Sequence, residues 1–321
     1  FQRLFGLKSP QYNKKPKNIL FIELAEMGST VFSHPAIKRL KEFYPNCNIH
    51  FLIFDEIKDS MTLLDSIKDE NVFTIDASNF VSLIIDTIKF MSEARRRKID
   101  TTINFEMFAR FSTILGYLSG ARKRVGFHKF HQEGLYAGDF LTHKVQYNPH
   151  IHTAQSFVML IEALGMEIKQ VPLVKIPVNA DLEIPKLKSS GEEVDRIWEI
   201  LKQVNPDITG KNRFVLVNPN ASKLISIRKW PLNNYAELVN KLLEDKNTYV
   251  GITGVKSEKP DAEYICKEVD NPRVLDLTGK TTLRELIDLF NLADLFITND
   301  SGPAHFASMT NIPIIVFFGP E

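Results

Sequence analysis

From Asn18 onward the chain repeatedly sets a short apolar run of strand length ahead of a segment with helical spacing, and that alternation restricts the fold more than any other feature. "NILFIEL" precedes "STVFSHPAIKRLKEFY", where Val31, Phe32, Ile37, Leu40 and Phe43 recur at mainly helical intervals. "NIHFLIF", "VFTI" and "TTINF" read as the next three strands, with helical patterns at 57–66 and 80–97 between them. Strands separated by helices imply parallel βαβ units, so the expected class is α/β.

The pattern loosens over 166–190, where Pro172, Pro177 and Pro185 punctuate a stretch that reads as a linker. A second alternation follows: helix 190–204, strand "FVLVN", helix 233–243, strand "TYVGI", helix 260–269, strand "RVLDL", helix 282–290, strand "DLFIT", a short helix after Gly302 and strand "IPIIVFF". At 321 residues and 44% hydrophobic the chain exceeds one ordinary core and suits two. The expected organisation is a basic leader at 1–17, an N-terminal domain at 18–180 and a C-terminal domain at 181–321, each with an open parallel sheet across a central cleft.

Charge separates the halves: residues 1–180 carry 23 basic against 18 acidic side chains, and 181–321 carry 17 against 21. Arg3, Lys8, Lys14, Lys15 and Lys17 precede any acidic residue, a leader suited to peripheral contact with an anionic membrane surface and equally compatible with a solvated polar extension. No run of 18 apolar residues exists, and Cys47 and Cys266 lack metal or disulfide spacing, so a reduced cytoplasmic setting is expected, at the inner face of the membrane if the leader binds there. "RRRK" at 95–98 and "ARKRVGFHKFHQEG" at 121–134 put basic and aromatic residues, Arg124 and His128 among them, on the first domain. With a near-neutral whole and no nucleic-acid module, an anionic glycolipid or glycan fits this cluster better than nucleic acid.

In open parallel sheets ligands sit beyond the carboxyl ends of the strands, so the loops directly after strands carry the candidates. In "NDSGPAH", Asp300 or Ser301 is expected to cap a helix begun by Gly302 and Pro303, with His305 on its first turn able to donate to a phosphate oxygen. "PNASKLISIRKWP" offers Asn220 and Ser222 as polar partners and Arg228 and Lys229 as cations, Arg being suited to bidentate phosphate recognition. In "TGVKSEKPDAEYI", Glu258 and Glu263 could bond sugar hydroxyls or simply serve as helix-start acids. "AEMGST" places Glu26 before Gly28, Ser29 and Thr30; it lacks G-x-G-x-x-G, and Glu26 could serve as a base or as a helix-start acid. "GKTTLRE" lacks the upstream glycine of a P-loop and reads as a capping box from Thr282 to Glu285, while His150 and His152 have no metal-binding neighbours in sequence.

Taken together, "ILFIELAEMGSTVFSHPAIKRLKEFYP", "ARKRVGFHKF", "VNPNASKLISIRKWP" and above all "LADLFITNDSGPAHFASMTNIPIIVFFGP" resemble glycosyltransferase family 9, the ADP-heptose:lipopolysaccharide heptosyltransferase group, in order and over nearly the whole chain. The resemblance implies a GT-B architecture of two Rossmann-like domains, the first binding an acceptor and the second a nucleotide-sugar donor, ADP-linked by preference. It implies inverting transfer with no cofactor and no metal. Asp300, Ser301, Gly302, His305, Asn220 and Ser222 would lie near the donor's sugar and diphosphate. Arg228 would stand where the family usually has a phosphate-neutralising lysine, with Lys229 beside it. The family's first loop commonly reads Gly-Asp, the Asp being the proposed base, whereas Gly28 here is followed by Ser29. Glu26 is the carboxylate left in that loop. Two other readings stay open: a nucleotide-sugar-binding protein without catalysis, and an epimerase of the same architecture. Family members usually continue past Phe-Gly-Pro, so an ending at Glu321 is expected to mark a fragment.

Overall fold

The computed structural model describes residues 15–64, 67–107, 109–129, 139–167, 171–174, 176–178, 180–221 and 227–319. Most of the basic leader, Ser222 and the tail of the 121–134 cluster lie outside them. The chain divides into two compact units, Phe1–Ile184 and Pro185–Glu321.

In the first unit, six parallel strands are arranged 3-2-1-4-5-6: β1 (Asn18–Ile22), β2 (Asn48–Phe54), β3 (Val72–Ile75), β4 (Thr101–Asn104), β5 (Lys123–Lys129) and β6 (His143–Gln146). The central strand shows why. In β1, Ile19 and Phe21 join one core with helices α1 (Ser29–Phe43) and α4 (Thr153–Leu164). Leu20 and Ile22 turn to a second core with α2 (Phe80–Arg96) and α3 (Arg110–Leu118). A strand buried on both faces reads as a continuous apolar run, and "NILFI" is one.

The expected strands 18–24, 48–54, 72–75 and 101–105 are present within a residue or two. The segment expected as a helix at 57–66 is instead a 3-10 helix over Asp55–Leu63. Strands β5 and β6 and helices α3 and α4 went unmarked in the sequence. β5 reads "KRVGFHK" and β6 "HKVQ", so their few apolar residues are hidden among cations, yet Lys123 and His143 are buried in the sheet.

The second unit holds five parallel strands, β7 (Arg213–Asn218), β8 (Thr248–Ile252), β9 (Val274–Asp276), β10 (Leu295–Asn299) and β11 (Ile314–Phe317), in the order 11-10-7-8-9. Helices α6 (Leu232–Leu242) and α7 (Lys259–Val269) cover one face through Tyr235, Val239, Ala262 and Ile265. Helices α5 (Gly191–Val204) and α8 (Leu283–Leu292) pack against each other, and Phe290 packs at a tilt against Phe296 of β10 with centroids 4.6 Å apart. Both start with a complete capping box, Ser190 with Glu193 and Thr282 with Glu285. The second is what "TTLRE" was expected to form, in place of a phosphate loop. A six-residue helix, α9 (Gly302–Ala307), follows β10. No helix among the described residues is long and apolar enough to cross a membrane.

Candidate functional site

Strand order singles out one edge of each unit. Where neighbouring strands send their connections in opposite directions, the loops part and leave a crevice at the strands' carboxyl ends. In the first sheet that reversal lies between β1 and β4; in the second, between β7 and β10. The loops leaving these four strands carry nearly all the polar residues singled out in the sequence.

In the second unit the two loops are tied together by Asn299, a fully buried residue at the end of β10. Its Nδ2 donates to the carbonyls of Pro219 (2.9 Å) and Asn220 (3.2 Å), and its Oδ1 accepts from the Trp230 amide at 3.1 Å. One carboxamide therefore holds both ends of the 219–231 loop against β10. Around this anchor, Arg228 Nη1 stands 3.1 Å from Asp300 Oδ2, with side chains 27% and 17% exposed. The Asp300 amide donates to the Phe317 carbonyl at 3.0 Å, and Trp230 packs on Phe317 and Tyr235. Gly319 fits beneath the same loop: a Cβ there would lie 2.7 Å from the Ile227 carbonyl oxygen and 2.9 Å from Arg228 Cα. Only a residue without a side chain lets the strand end approach that backbone.

Asn220 is buried, its amide closing a turn on Asn218 Oδ1 at 3.0 Å. Its Oδ1 has no hydrogen-bond partner among the described residues. Gly254, after β8, is flanked by Asn220 and by Glu258, whose carboxylate accepts the Val255 amide at 2.9 Å. Glu258 thus opens its own helical segment, the plainer of the two roles expected for it. Lys229 pairs with Asp261 on α7, so the two cations of the loop go to different carboxylates.

The start of α9 differs from expectation. Neither Asp300 nor Ser301 caps it through a side chain. The Ser301 hydroxyl turns back to the Asn299 carbonyl (3.2 Å), and the Asp300 carboxylate is drawn to Arg228, a stronger partner than an amide. Gly302 leads the helix and His305, half-buried, lies on it one turn further on.

In the first unit the crevice gathers three carboxylates. Glu26, exposed in the turn after β1, accepts the Ser29 hydroxyl at 2.6 Å and, through its carbonyl, the Ser29 amide at 3.1 Å. Gly28 is buried in a helical conformation ahead of α1, and Thr30 shares a hydrogen bond with Ser60 inside the fold. Glu106, just past β4, accepts the amides of Leu24 (2.6 Å) and Ala25 (3.2 Å) and so fixes the backbone that leads to Glu26. Glu23 is 2% exposed, and its Oε2 has no hydrogen-bond partner among the described residues. Burial pushes its carboxyl well above the ordinary range, with the charges of Glu106 and Glu26 adding to the rise. Burial also raises Glu106, against the opposing pull of the Leu24 and Ala25 amides.

Glu23 and Glu106 were not singled out in the sequence, and neither was Asn299. The available signal was position: Glu23 interrupts "NILFIEL" near its end, and Glu106 follows directly on "TTINF". A charged residue closing an apolar strand is a cue to a crevice.

The basic cluster of β5 serves the fold more than an open face. Lys123 and His128 are buried, and burial lowers the Lys123 ammonium. Arg124 donates to the carbonyls of Ala121 and Phe140 and lies over the Tyr117 ring at 5.4 Å. His152 caps α4 by accepting the Ala154 amide at 3.2 Å, which accounts for one half of the His-x-His pair. Among the described residues no group of three or more His, Cys, Asp or Glu side chains could hold a metal ion.

Comparison with known proteins bears on the family and the fold. The family model for glycosyltransferase family 9 (heptosyltransferase) matches residues 88–321. A lipopolysaccharide core heptosyltransferase, OpsX, from Haemophilus influenzae is 23% identical over 310 residues, covering 95% of this chain and 80% of its own length. Among solved structures, the ADP-heptose lps heptosyltransferase II of Escherichia coli superposes with a TM-score of 0.73 at 18% identity, over 95% of this chain and 85% of its own. An Escherichia coli heptosyltransferase solved with ADP-2-deoxy-2-fluoro heptose gives 0.64 at 15% identity, over 93% and 88%. The fold is thus that of the GT-B heptosyltransferases, with two Rossmann-like units, and the family match spans well over half of the chain. The chain belongs to glycosyltransferase family 9 and is a glycosyltransferase.

Proposed function

We propose that the protein moves a heptose-like sugar from a nucleoside-diphosphate donor, ADP-linked by preference, to a hydroxyl of a lipopolysaccharide-type glycan, with inversion at the anomeric carbon. The second unit, from about residue 181, would hold the donor and the first the acceptor. The single observation that carries this reading is that the buried Asn299 ties the 219–231 loop to β10 at the strand-order reversal, with the Arg228–Asp300 ion pair joining the same two loops. It supplies a fixed cation for a diphosphate and, in Asn220 Oδ1, a buried acceptor that a donor hydroxyl or amine would satisfy. The names of the relatives, which are lipopolysaccharide heptosyltransferases, support the choice of sugar and acceptor.

In the proposed reaction Glu26 accepts the proton of the acceptor hydroxyl as its oxygen bonds to the anomeric carbon. The bond from that carbon to the diphosphate oxygen breaks in line, and the leaving group takes the electron pair. Arg228, with Lys229, His305 and the backbone at Ser301 and Gly302, and Ser222 outside the described residues, would meet the charge that develops on the diphosphate, so the side chains themselves would do what a metal ion does elsewhere. Ser29 and Glu106 act before this step: one orients the Glu26 carboxylate and the other holds the backbone behind it. Gly28, Thr30, Arg124 and His128 would shape the acceptor side. A lipid-linked acceptor places the reaction at the cytoplasmic face of the membrane, where the basic leader could add a contact.

Replacing Arg228 or His305 with Ala should weaken donor binding or turnover at least tenfold. Donor hydrolysis and transfer unchanged in both variants would overturn the donor assignment. The absence of an aspartate at Ser29 favours one other reading, a nucleotide-sugar-binding protein without catalysis. Saturable donor binding with no release of nucleoside diphosphate would support it, and interconversion of free donor without acceptor would mark an epimerase.

A further inference from the structure

Helix α2 is apolar on two sides, and the fold uses only one. Phe90 and Ala94 are buried against β3 and its neighbours, with Leu83 packed on the same core. On the other side Phe80, Val81, Ile84, Ile85 and Ile88 are exposed by 74%, 64%, 44%, 47% and 61%. At about 100° per residue these five fall within an arc of roughly 140°, a continuous stripe along more than two turns. Scattered exposed apolar residues are ordinary, but five on one helix face form a patch.

The ionic residues of the helix are sorted around this stripe. Asp86 and Glu93 lie outside the arc, on the flank that leads toward the buried side, where Asp86 accepts the Asp76 amide and the exposed Lys89 ammonium (2.8 Å) and Glu93 pairs with Arg96 and Arg97. Arg95 prolongs the stripe itself, and Arg96 and Lys89 stand along its border. Over residues 80–98 five cations, Lys89, Arg95, Arg96, Arg97 and Lys98, face two acids. A narrow apolar stripe with cations at its edge and one end is the pattern of a helix lying in a bilayer interface over anionic headgroups. A second copy of the chain fits less well, because five side chains of one helix fall far short of the roughly 20–30 residues a side of a standard protein interface.

We propose that α2 is a membrane-docking element: Phe80, Val81, Ile84, Ile85 and Ile88 enter the headgroup boundary of an anionic bilayer, and Lys89, Arg95, Arg96 and Lys98 meet its phosphates. This goes beyond the transfer reaction and does not depend on which sugar is moved. It also assigns the contact to a folded helix in place of the basic leader.

The test is co-sedimentation of the full chain with vesicles of phosphatidylcholine, with and without phosphatidylglycerol, at low and high salt. Four chains are compared: the unaltered protein, a Phe80→Ser/Ile84→Ser/Ile88→Ser variant, a Lys8→Gln/Lys14→Gln/Lys15→Gln/Lys17→Gln variant and an Arg95→Gln/Arg96→Gln variant. The proposal predicts salt-sensitive binding to the anionic vesicles alone, about tenfold weaker in the α2 variant and retained in the leader variant. The altered residues are exposed, so the α2 variant should keep the parent's melting temperature, which the same samples report. A folded Arg95→Gln/Arg96→Gln variant should lose much of the anionic preference while keeping the stripe. Equal binding by parent and α2 variant, loss confined to the leader variant, or no vesicle binding together with a concentration-dependent dimer broken by the α2 substitutions would each overturn the proposal. Donor turnover on the same samples reads the transfer reaction separately.

Discussion

The Ser29 hydroxyl donates to the Glu26 carboxylate across 2.6 Å, so the residue that follows Gly28 orients an acid three positions earlier. The turn keeps a carboxylate although it has no Gly-Asp. If Glu26 is the base, Glu26→Gln should lower kcat by about 10²- to 10⁴-fold with donor affinity unchanged, since only the proton acceptor is lost. Ser29→Ala should cost far less, near tenfold, because the carboxylate remains but is no longer held. Steady-state rates and donor titration of the two variants separate these effects.

Arg228 and Asp300 make a partly shielded ion pair, and in the proposed reaction a bound diphosphate becomes a second partner of Arg228. Arg228→Ala should weaken nucleoside-diphosphate binding by about 10- to 100-fold, the range of a hydrogen bond to a charged group. Asp300→Asn should weaken it less, and the double variant should show a coupling of about 0.5–3 kcal/mol. Calorimetric titration with ADP measures all three. Additive effects would mean that the pair does not act on the ligand as a unit.

Much of this was legible in advance, because strands buried on both faces announce themselves as unbroken apolar runs. β1, β7 and β10 were readable for that reason, and so were the loops at their ends. β5 and β6 were not, since burial of Lys123 and His143 among so few apolar residues leaves no periodic trace. The site divides in the same way. Asn220, Arg228 and Asp300 stand in loops where polar residues draw notice, whereas Asn299 closes a strand and shows its use only through three backbone partners distant in sequence. Glu106 acts on Leu24 and Ala25 from another strand, a relation that no spacing encodes.

Gly319 offers a test of the loop that carries Arg228. Its Cβ would collide with backbone atoms of Ile227 and Arg228, which cannot turn aside as a side chain can. Gly319→Ala should displace the loop at a cost of about 1–3 kcal/mol and raise the donor KM, while far-UV circular dichroism stays that of the parent. A parental KM would show that Arg228 is placed independently of the strand end.

Glu23 carries a pH prediction. Its carboxyl is raised in the folded chain by burial and by Glu106 and Glu26, so between the ordinary carboxylate value and the raised one the folded state binds the extra proton. Stability then falls as pH rises through that window, and the loss is complete once the folded carboxyl ionises. Glu23→Gln removes the ionisation and should raise the melting temperature at pH 8 more than at pH 5, each kcal/mol being worth roughly 2–4 °C in a unit of this size. An equal change at both pH values would show that the folded and unfolded chains hold the Glu23 proton alike, so that burial does not raise this carboxyl.

The most direct test is the release of ADP from ADP-heptose, followed with and without a lipopolysaccharide-type acceptor, for the parent chain and for Glu26→Gln. The account predicts acceptor-dependent release by the parent and its loss, by at least a hundredfold, in a variant that still binds donor. Donor binding by the parent with no release, or release by Glu26→Gln at the parental rate, would contradict it.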